Sequence, residues 1–81
     1  MSAYAAAKSG VVTLMRAIAA EERSNGVRAN AVAPAAIRTI SNVHAMGSDV
    51  RFVEREQVAS IVTFLCSDQA SAISGTVVPL S

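Results

Sequence analysis

Between Ser2 and Ser24 the chain carries no proline and one internal glycine, Gly10. Val11, Val12, Leu14, Met15 and Ile18 wrap more than one face of the helix this stretch predicts, and alanines at 5–7, 17, 19 and 20 keep its profile thin. A helix that is apolar nearly all round is expected to be buried on more than one side. Asn25-Gly26 then supplies a left-handed stop, a conformation strained for residues with a β-carbon. Directly afterwards Val27, Ala29, Ala31 and Ala33 alternate with Arg28, Asn30 and Val32, the period of a strand that Pro34 ends. Alanine is a weak strand former, so neighbours must support that strand. A tight helix–glycine–strand passage is a feature of α/β folds.

The next stretch, Ala35 to Val53, keeps no sustained period and reads as a loop with room for a helical turn. Long loops in compact domains are often lids or binding segments. From Glu54 to Asp68 a second helix is predicted. Val58, Ile61, Val62, Leu65 and Cys66 fall on one apolar stripe, and Glu54 and Glu56 sit near its positive N-terminal end. "QASAISG" turns the chain, and "TVVPL" reads as a last strand; Pro79 cannot donate to a ladder and places that strand at a sheet edge. The predicted order is helix, strand, loop, helix, strand. Two strands joined by a helical crossover are expected to be parallel and right-handed. A parallel sheet of only two strands is a poor free-standing core, so the architecture looks truncated.

Composition sharpens that picture. Of 81 residues, 52% are hydrophobic, above the usual range of about 45–50%. A chain this short buries only about 60% of its unfolded surface. Much of the apolar surface is therefore expected to meet the rest of a domain or a partner. The net charge of +1, with basic and acidic residues interspersed, argues against nucleic-acid binding. Cys66 is the single cysteine, which excludes an internal disulfide and a cysteine-rich zinc site and fits a reduced, cytoplasmic setting. Lys8 and Arg16 interrupt the first apolar stretch, so it reads neither as a signal peptide nor as a membrane span.

Candidate chemistry opens the chain. Tyr4 and Lys8 stand four positions apart and share a helix face. A free phenol is a poor base at neutral pH. A neighbouring ammonium favours the phenolate form, giving a proton donor and acceptor suited to alcohol–carbonyl interconversion. Alone, such a pair reads as a surface contact; its sequence context gives it weight.

"YAAAK", the long apolar helix, "NGVRANAVAPAAIRT" and "VASIVTFLCSDQASAISG" follow in order. Together they resemble the C-terminal portion of the short-chain dehydrogenases/reductases, over nearly all 81 residues. The resemblance implies the C-terminal part of a Rossmann-like, doubly wound parallel sheet that binds NAD or NADP. It matches Tyr4 to the catalytic tyrosine that exchanges a proton with the carbonyl or alcohol oxygen. Lys8 matches the lysine that tunes the tyrosine and holds the nicotinamide ribose. Pro34, Ile37 and Thr39 match the segment lining the nicotinamide and adjoining phosphates. Asn30 matches a structural position tying backbone segments together, and Ile40 to Val53 matches a substrate lid that is short for this family.

Departures from the family pattern are equally informative. The glycine-rich phosphate loop, the residue that selects NAD or NADP, and the catalytic serine belong upstream of the tyrosine, so residues 1–81 are expected to be a partial dinucleotide-binding domain. Ser2 and Ser9 lie too close to Tyr4 to replace that serine. Ala35 stands where the family usually has glycine, which restricts the turn there. His44 reads as a solvated loop residue, and Cys66 as a buried thiol. Two readings remain. One is an oxidoreductase segment acting on a small alcohol or carbonyl substrate, expected to form a homo-oligomer. The other is a non-catalytic truncated fragment that self-associates through its apolar helices.

Overall fold

The computed structural model describes residues 2–47 and 49–81. Ser2 caps the first helix, its Oγ accepting the Ala5 N–H at 3.1 Å, and α1 runs over Ala3–Glu21. Glu22 then turns the chain into a single 3₁₀ turn at Arg23–Asn25. Gly26 closes that turn with φ +74°, the left-handed backbone expected of Asn-Gly. Strand β1 follows at Ala31–Pro34, helix α2 at Ile40–Met46, helix α3 at Arg55–Leu65, a 3₁₀ turn at Asp68–Ala70 and strand β2 at Val77–Leu80.

The two strands pair in parallel, with Ala31 opposite Val77 and Pro34 opposite Leu80. This parallel pairing is the one expected of strands joined through a helix. Ala31 donates to the Thr76 carbonyl at 3.0 Å and Ala35 to the Leu80 carbonyl at 2.9 Å. Because bonding residues alternate along a parallel ladder, Val77 and Pro79 turn their backbone outward. The missing N–H of Pro79 therefore costs no ladder bond, as expected for an edge strand.

Strand β1 is shorter and later than the alternation predicts. Residues 27–30 do not extend the ladder, because Arg28 and Asn30 serve as cross-ties. The Arg28 guanidinium donates to the carbonyls of Leu65 at 2.8 Å, Ile73 at 3.2 Å and Ser67 at 3.3 Å. The Leu65 and Ser67 bonds satisfy carbonyls at the negative end of α3, and the Ile73 bond ties in the turn that precedes β2. The Asn30 amide donates to the Ile73 carbonyl at 3.0 Å and accepts the Thr76 N–H at 3.1 Å. Asn30 thus has the tying role expected of it. Asn30→Ala should lower unfolding free energy by about 1–2 kcal/mol, read as a shifted urea midpoint with unchanged slope.

The stretch expected to be a loop, 35–53, holds more structure than its lack of period indicated. Thr39 Oγ1 accepts the Asn42 N–H at 3.0 Å and starts α2, and Asn42 Nδ2 donates back to the Ile37 carbonyl at 2.7 Å. Ile37 and Val53 form a parallel bridge, with Arg38 N–H on the Val53 carbonyl at 2.9 Å and Val53 N–H on the Ala36 carbonyl at 2.7 Å. Phe52 and Val53 are buried, so the C-terminal end of the expected lid, Ile40 to Val53, belongs to the core. Helix α3 ends at Leu65 rather than Asp68. Its N-terminus is a capping box, in which Gln57 Oε1 accepts the Glu54 N–H at 2.9 Å.

Two burial expectations fail. Cys66 lies past the last turn of α3 as its C-cap, and its thiol is exposed rather than buried on the stripe. Helix α1 buries only Met15 and Ala19, and leaves Tyr4, Val11, Leu14 and Ile18 exposed. The accessible surface is 5993 Å². A compact monomer of this mass exposes about 4,600 Å², so the chain carries an excess of about 1,400 Å². Its radius of gyration is 14.9 Å, against about 12 Å for a compact domain of this length. The molecule is a slab with extents of 46 × 33 × 15 Å, and one face of α1 has no cover among the described residues.

Candidate functional site

Helix α1 holds to the rest of the chain through its C-terminal half. Ala19 packs beside the 68–75 turn, where a β-carbon on Gly75 would sit 3.6 Å from the Ala19 Cβ. The N-terminal turn projects away from that anchor, which leaves Tyr4 73% exposed. Helical spacing brings Lys8 beside it: Nζ lies over the phenol ring, 5.4 Å from the ring centroid. A cation at that distance is attracted to the ring face. Neither the Tyr4 hydroxyl nor the Lys8 ammonium has a hydrogen-bonding partner among the described residues, so both are available to a ligand.

Pro34, Ile37 and Thr39 form a second group. They follow the carboxyl end of β1, the end of a parallel sheet at which α/β proteins bind ligands. Backbone direction alternates here as in a strand. Arg38 N–H is taken by Val53, while the N–H groups of Ile37 and Thr39 have no partner among the described residues. Thr39 Oγ1 accepts from Asn42 and keeps its own proton to donate. Two backbone donors and a hydroxyl on one short segment suit the oxygens of a carboxamide or a phosphate. The donor set therefore fits the nicotinamide end of a dinucleotide.

The two groups line separate clefts. Lys8 lies along a shallow one with Ser9, Val12, Thr13 and Arg16. Thr39 lines another of about 550 Å³, between α2 and the start of α3, with Arg38, Ile40, His44, Glu54 and Arg55. That cleft is held at its base by an Arg38–Glu54 ion pair at 2.6 Å and by the Arg38 guanidinium 5.1 Å from the Phe52 ring centroid. Both ion-pair side chains are about half exposed, so the pair adds little stability and serves mainly to close the segment. His44 stands exposed in the last turn of α2 rather than in a loop. Arg38 had no periodic or motif signal; its role appears only when Phe52 and Glu54 are brought beside it. No group of three or more His, Cys, Asp or Glu suited to a metal occurs among the described residues. None of their helices is long and apolar enough to cross a membrane.

A family model described as enoyl-(acyl carrier protein) reductase matches residues 1–80. Levodione reductase of Leifsonia aquatica is 38% identical over 97 aligned positions, covering 98% of this chain and 36% of the relative. Since 97 aligned positions exceed 81 residues, that relative carries residues within the matched stretch that this chain lacks. Meso-2,3-butanediol dehydrogenase of Serratia marcescens is also 38% identical, over 95% of this chain and 35% of the relative. The crystal structure of acetoin dehydrogenase from Enterobacter cloacae superposes with a TM-score of 0.85 at 33% identity, covering 99% of this chain and 34% of that one. The chain thus spans about a third of the length of the relatives it matches. The fold is that of their Rossmann-type α/β sheets, and the chain belongs to the short-chain dehydrogenase/reductase family.

Proposed function

We propose that these 81 residues supply the proton-transfer helix and the nicotinamide-side segment of an NAD(P)-dependent oxidoreductase that interconverts a small alcohol and a carbonyl. The observation that carries this reading is the Tyr4–Lys8 pair, stacked at 5.4 Å with both polar ends unengaged, on a chain whose relatives are dehydrogenases and reductases. In the completed domain Tyr4 Oη donates its proton to the carbonyl oxygen during reduction and takes it from the hydroxyl in the reverse direction. Lys8 sets the charge beside that hydroxyl and hydrogen-bonds the ribose of the cofactor. The Ile37 and Thr39 N–H groups and the Thr39 hydroxyl hold the carboxamide and phosphate oxygens, and Pro34 directs the chain into that segment. When bound, NADH or NADPH would supply the hydride for reduction, and NAD or NADP would accept it in the reverse direction.

The phosphate-cradling loop, the residue that selects between the two cofactors and the catalytic serine come, on this reading, from sequence outside these 81 residues. The relative's extra residues in the matched stretch suit a short substrate lid here, and hence an open pocket for a small substrate. The free thiol of Cys66 fits a cytoplasmic setting. The exposed face of α1 favours association with further copies of the chain. If no upstream half is ever joined to it, the same face makes the chain a non-catalytic, self-associating fragment.

A cofactor titration separates these outcomes. The 81-residue chain alone should show no saturable change in NADH fluorescence up to about 1 mM. A fusion with the upstream two-thirds of the Enterobacter cloacae acetoin dehydrogenase placed before this chain should bind NADH saturably. A folded fusion that fails to bind would contradict the oxidoreductase reading.

A further inference from the structure

We infer that Asn25 is a site of spontaneous covalent modification: its side-chain amide is lost by attack of the Gly26 backbone nitrogen, and the turn joining α1 to β1 both sets the rate and bears the consequence. This concerns a joint of the fold and is independent of the redox chemistry. The reaction needs only water. The Gly26 nitrogen forms a bond to Asn25 Cγ, the Cγ–Nδ2 bond breaks, and the amide leaves as ammonia with the proton that Gly26 gives up. Water then opens one of the two C–N bonds of the resulting five-membered imide. One opening gives aspartate; the other gives isoaspartate, whose main chain runs through the former side chain. Nothing is oxidised or reduced.

The chain has three asparagines, at 25, 30 and 42, and their surroundings single out the first. Alanine follows Asn30 and valine follows Asn42, so a β-carbon crowds the attacking nitrogen; glycine follows Asn25. The Asn30 side chain is held, part-buried, by the Ile73 carbonyl and the Thr76 N–H, and Asn42 Nδ2 by the Ile37 carbonyl. Residues Arg23 to Gly26 are all exposed. There Asn25 Nδ2 donates to Glu22 Oε2 at 2.8 Å, and the Gly26 N–H donates to the Arg23 carbonyl at 3.1 Å. One bond holds the leaving group and the other holds the nucleophile. Both must open before the ring closes, and both lie at an exposed helix end, where local opening is easiest. Glu22 is the latch.

Conversion strains the joint. Helix α1 has no basic residue in its last turn, and Glu21 and its cap Glu22 stand at its negative end. Aspartate at 25 adds a further carboxylate where the donor to Glu22 was, so a hydrogen bond becomes a repulsion. Isoaspartate inserts a methylene into the main chain ahead of Gly26. That shifts the Gly26 N–H off the Arg23 carbonyl and the Val27 N–H off the Glu22 carbonyl, the two bonds that close the turn just before the Arg28 cross-tie.

The test is peptide mapping of the 81-residue chain during incubation at neutral pH, reading the gain of about 1 Da at each asparagine and marking isoaspartate by enzymatic methylation. Asn25 should convert at least about tenfold faster than Asn30 or Asn42, and more slowly than in a free peptide of residues 21–28. Glu22→Ala should raise the Asn25 rate by a factor of about five, the worth of one hydrogen bond. Asn25→Asp should lower the urea midpoint, and Glu22→Gln added to it should restore the midpoint. Conversion at Asn25 no faster than at the other two would overturn the site. A folded chain that reacts as fast as the peptide, or a rate unchanged by Glu22→Ala, would overturn the control by the turn. A midpoint unmoved by Asn25→Asp would overturn the consequence.

Discussion

Tyr4→Phe, placed in the acetoin dehydrogenase fusion, should lower kcat/KM by a factor of about 10²–10⁴ while NADH affinity stays nearly unchanged. The substitution keeps the ring and the face that Lys8 covers at 5.4 Å. It removes only the hydroxyl that moves the proton. Because Tyr4 sits in the exposed first turn of α1, fold stability should move by no more than about 0.5 kcal/mol. Loss of rate with retained stability and retained cofactor binding is the signature of a lost proton-transfer group. Lys8→Met gives a different pattern. It removes both the charge beside the phenol and the donor to the ribose, so KM for the cofactor should rise while kcat falls. Steady-state kinetics of the two variants would separate the roles; equal effects on KM would contradict them.

Arg28→Met should be the most destabilising single change in the chain, lowering unfolding free energy by about 2–4 kcal/mol. One guanidinium serves the carbonyls of Leu65, Ser67 and Ile73, and so fastens the end of α3 and the 68–75 turn to the residues before β1. Methionine retains the aliphatic stem and leaves the Leu65 carbonyl without a donor, while Ser67 keeps the Ala70 N–H and Ile73 keeps the Asn30 amide. A domain of about this length is stable by only some 4–12 kcal/mol. Among the described residues no large side chain is completely buried, so its reserve lies at the lower end. Urea denaturation followed by circular dichroism should show the midpoint falling sharply or the cooperative transition disappearing. Arg28→Lys should recover part of the loss. Arg23→Met, in the exposed turn just upstream, should have little effect. A midpoint unmoved by Arg28→Met would show that the cross-tie is dispensable.

The parts of the fold legible in the sequence are those set by local chemistry. Ser2 and Asn25-Gly26 bracket α1, Pro79 marks an edge, and the stripe from Val58 to Leu65 marks α3. The Tyr4–Lys8 contact follows from helical spacing alone. What pattern did not reveal depends on long-range partners. Alternation from Val27 to Ala33 looks like one strand, yet Arg28 and Asn30 lie beside carbonyls 37 to 45 positions away and leave the ladder to do so. Seven residues of α2 are too few for a helical period and are held by the Thr39 and Asn42 caps. Cys66 fits the apolar stripe by spacing, but the helix ends just before it. The apolar circumference of α1 is legible in composition, but composition does not say which of its faces this chain covers, and only Met15 and Ala19 are buried.

A crystal structure of the fusion with NADH bound tests the central claim most directly. Lys8 Nζ should lie within about 3.2 Å of a ribose hydroxyl on the nicotinamide side, with the Tyr4 hydroxyl facing the nicotinamide ring and the Ile37 N–H on the carboxamide. A bound cofactor whose nicotinamide lies away from α1, with Tyr4 still in solvent, would contradict the account.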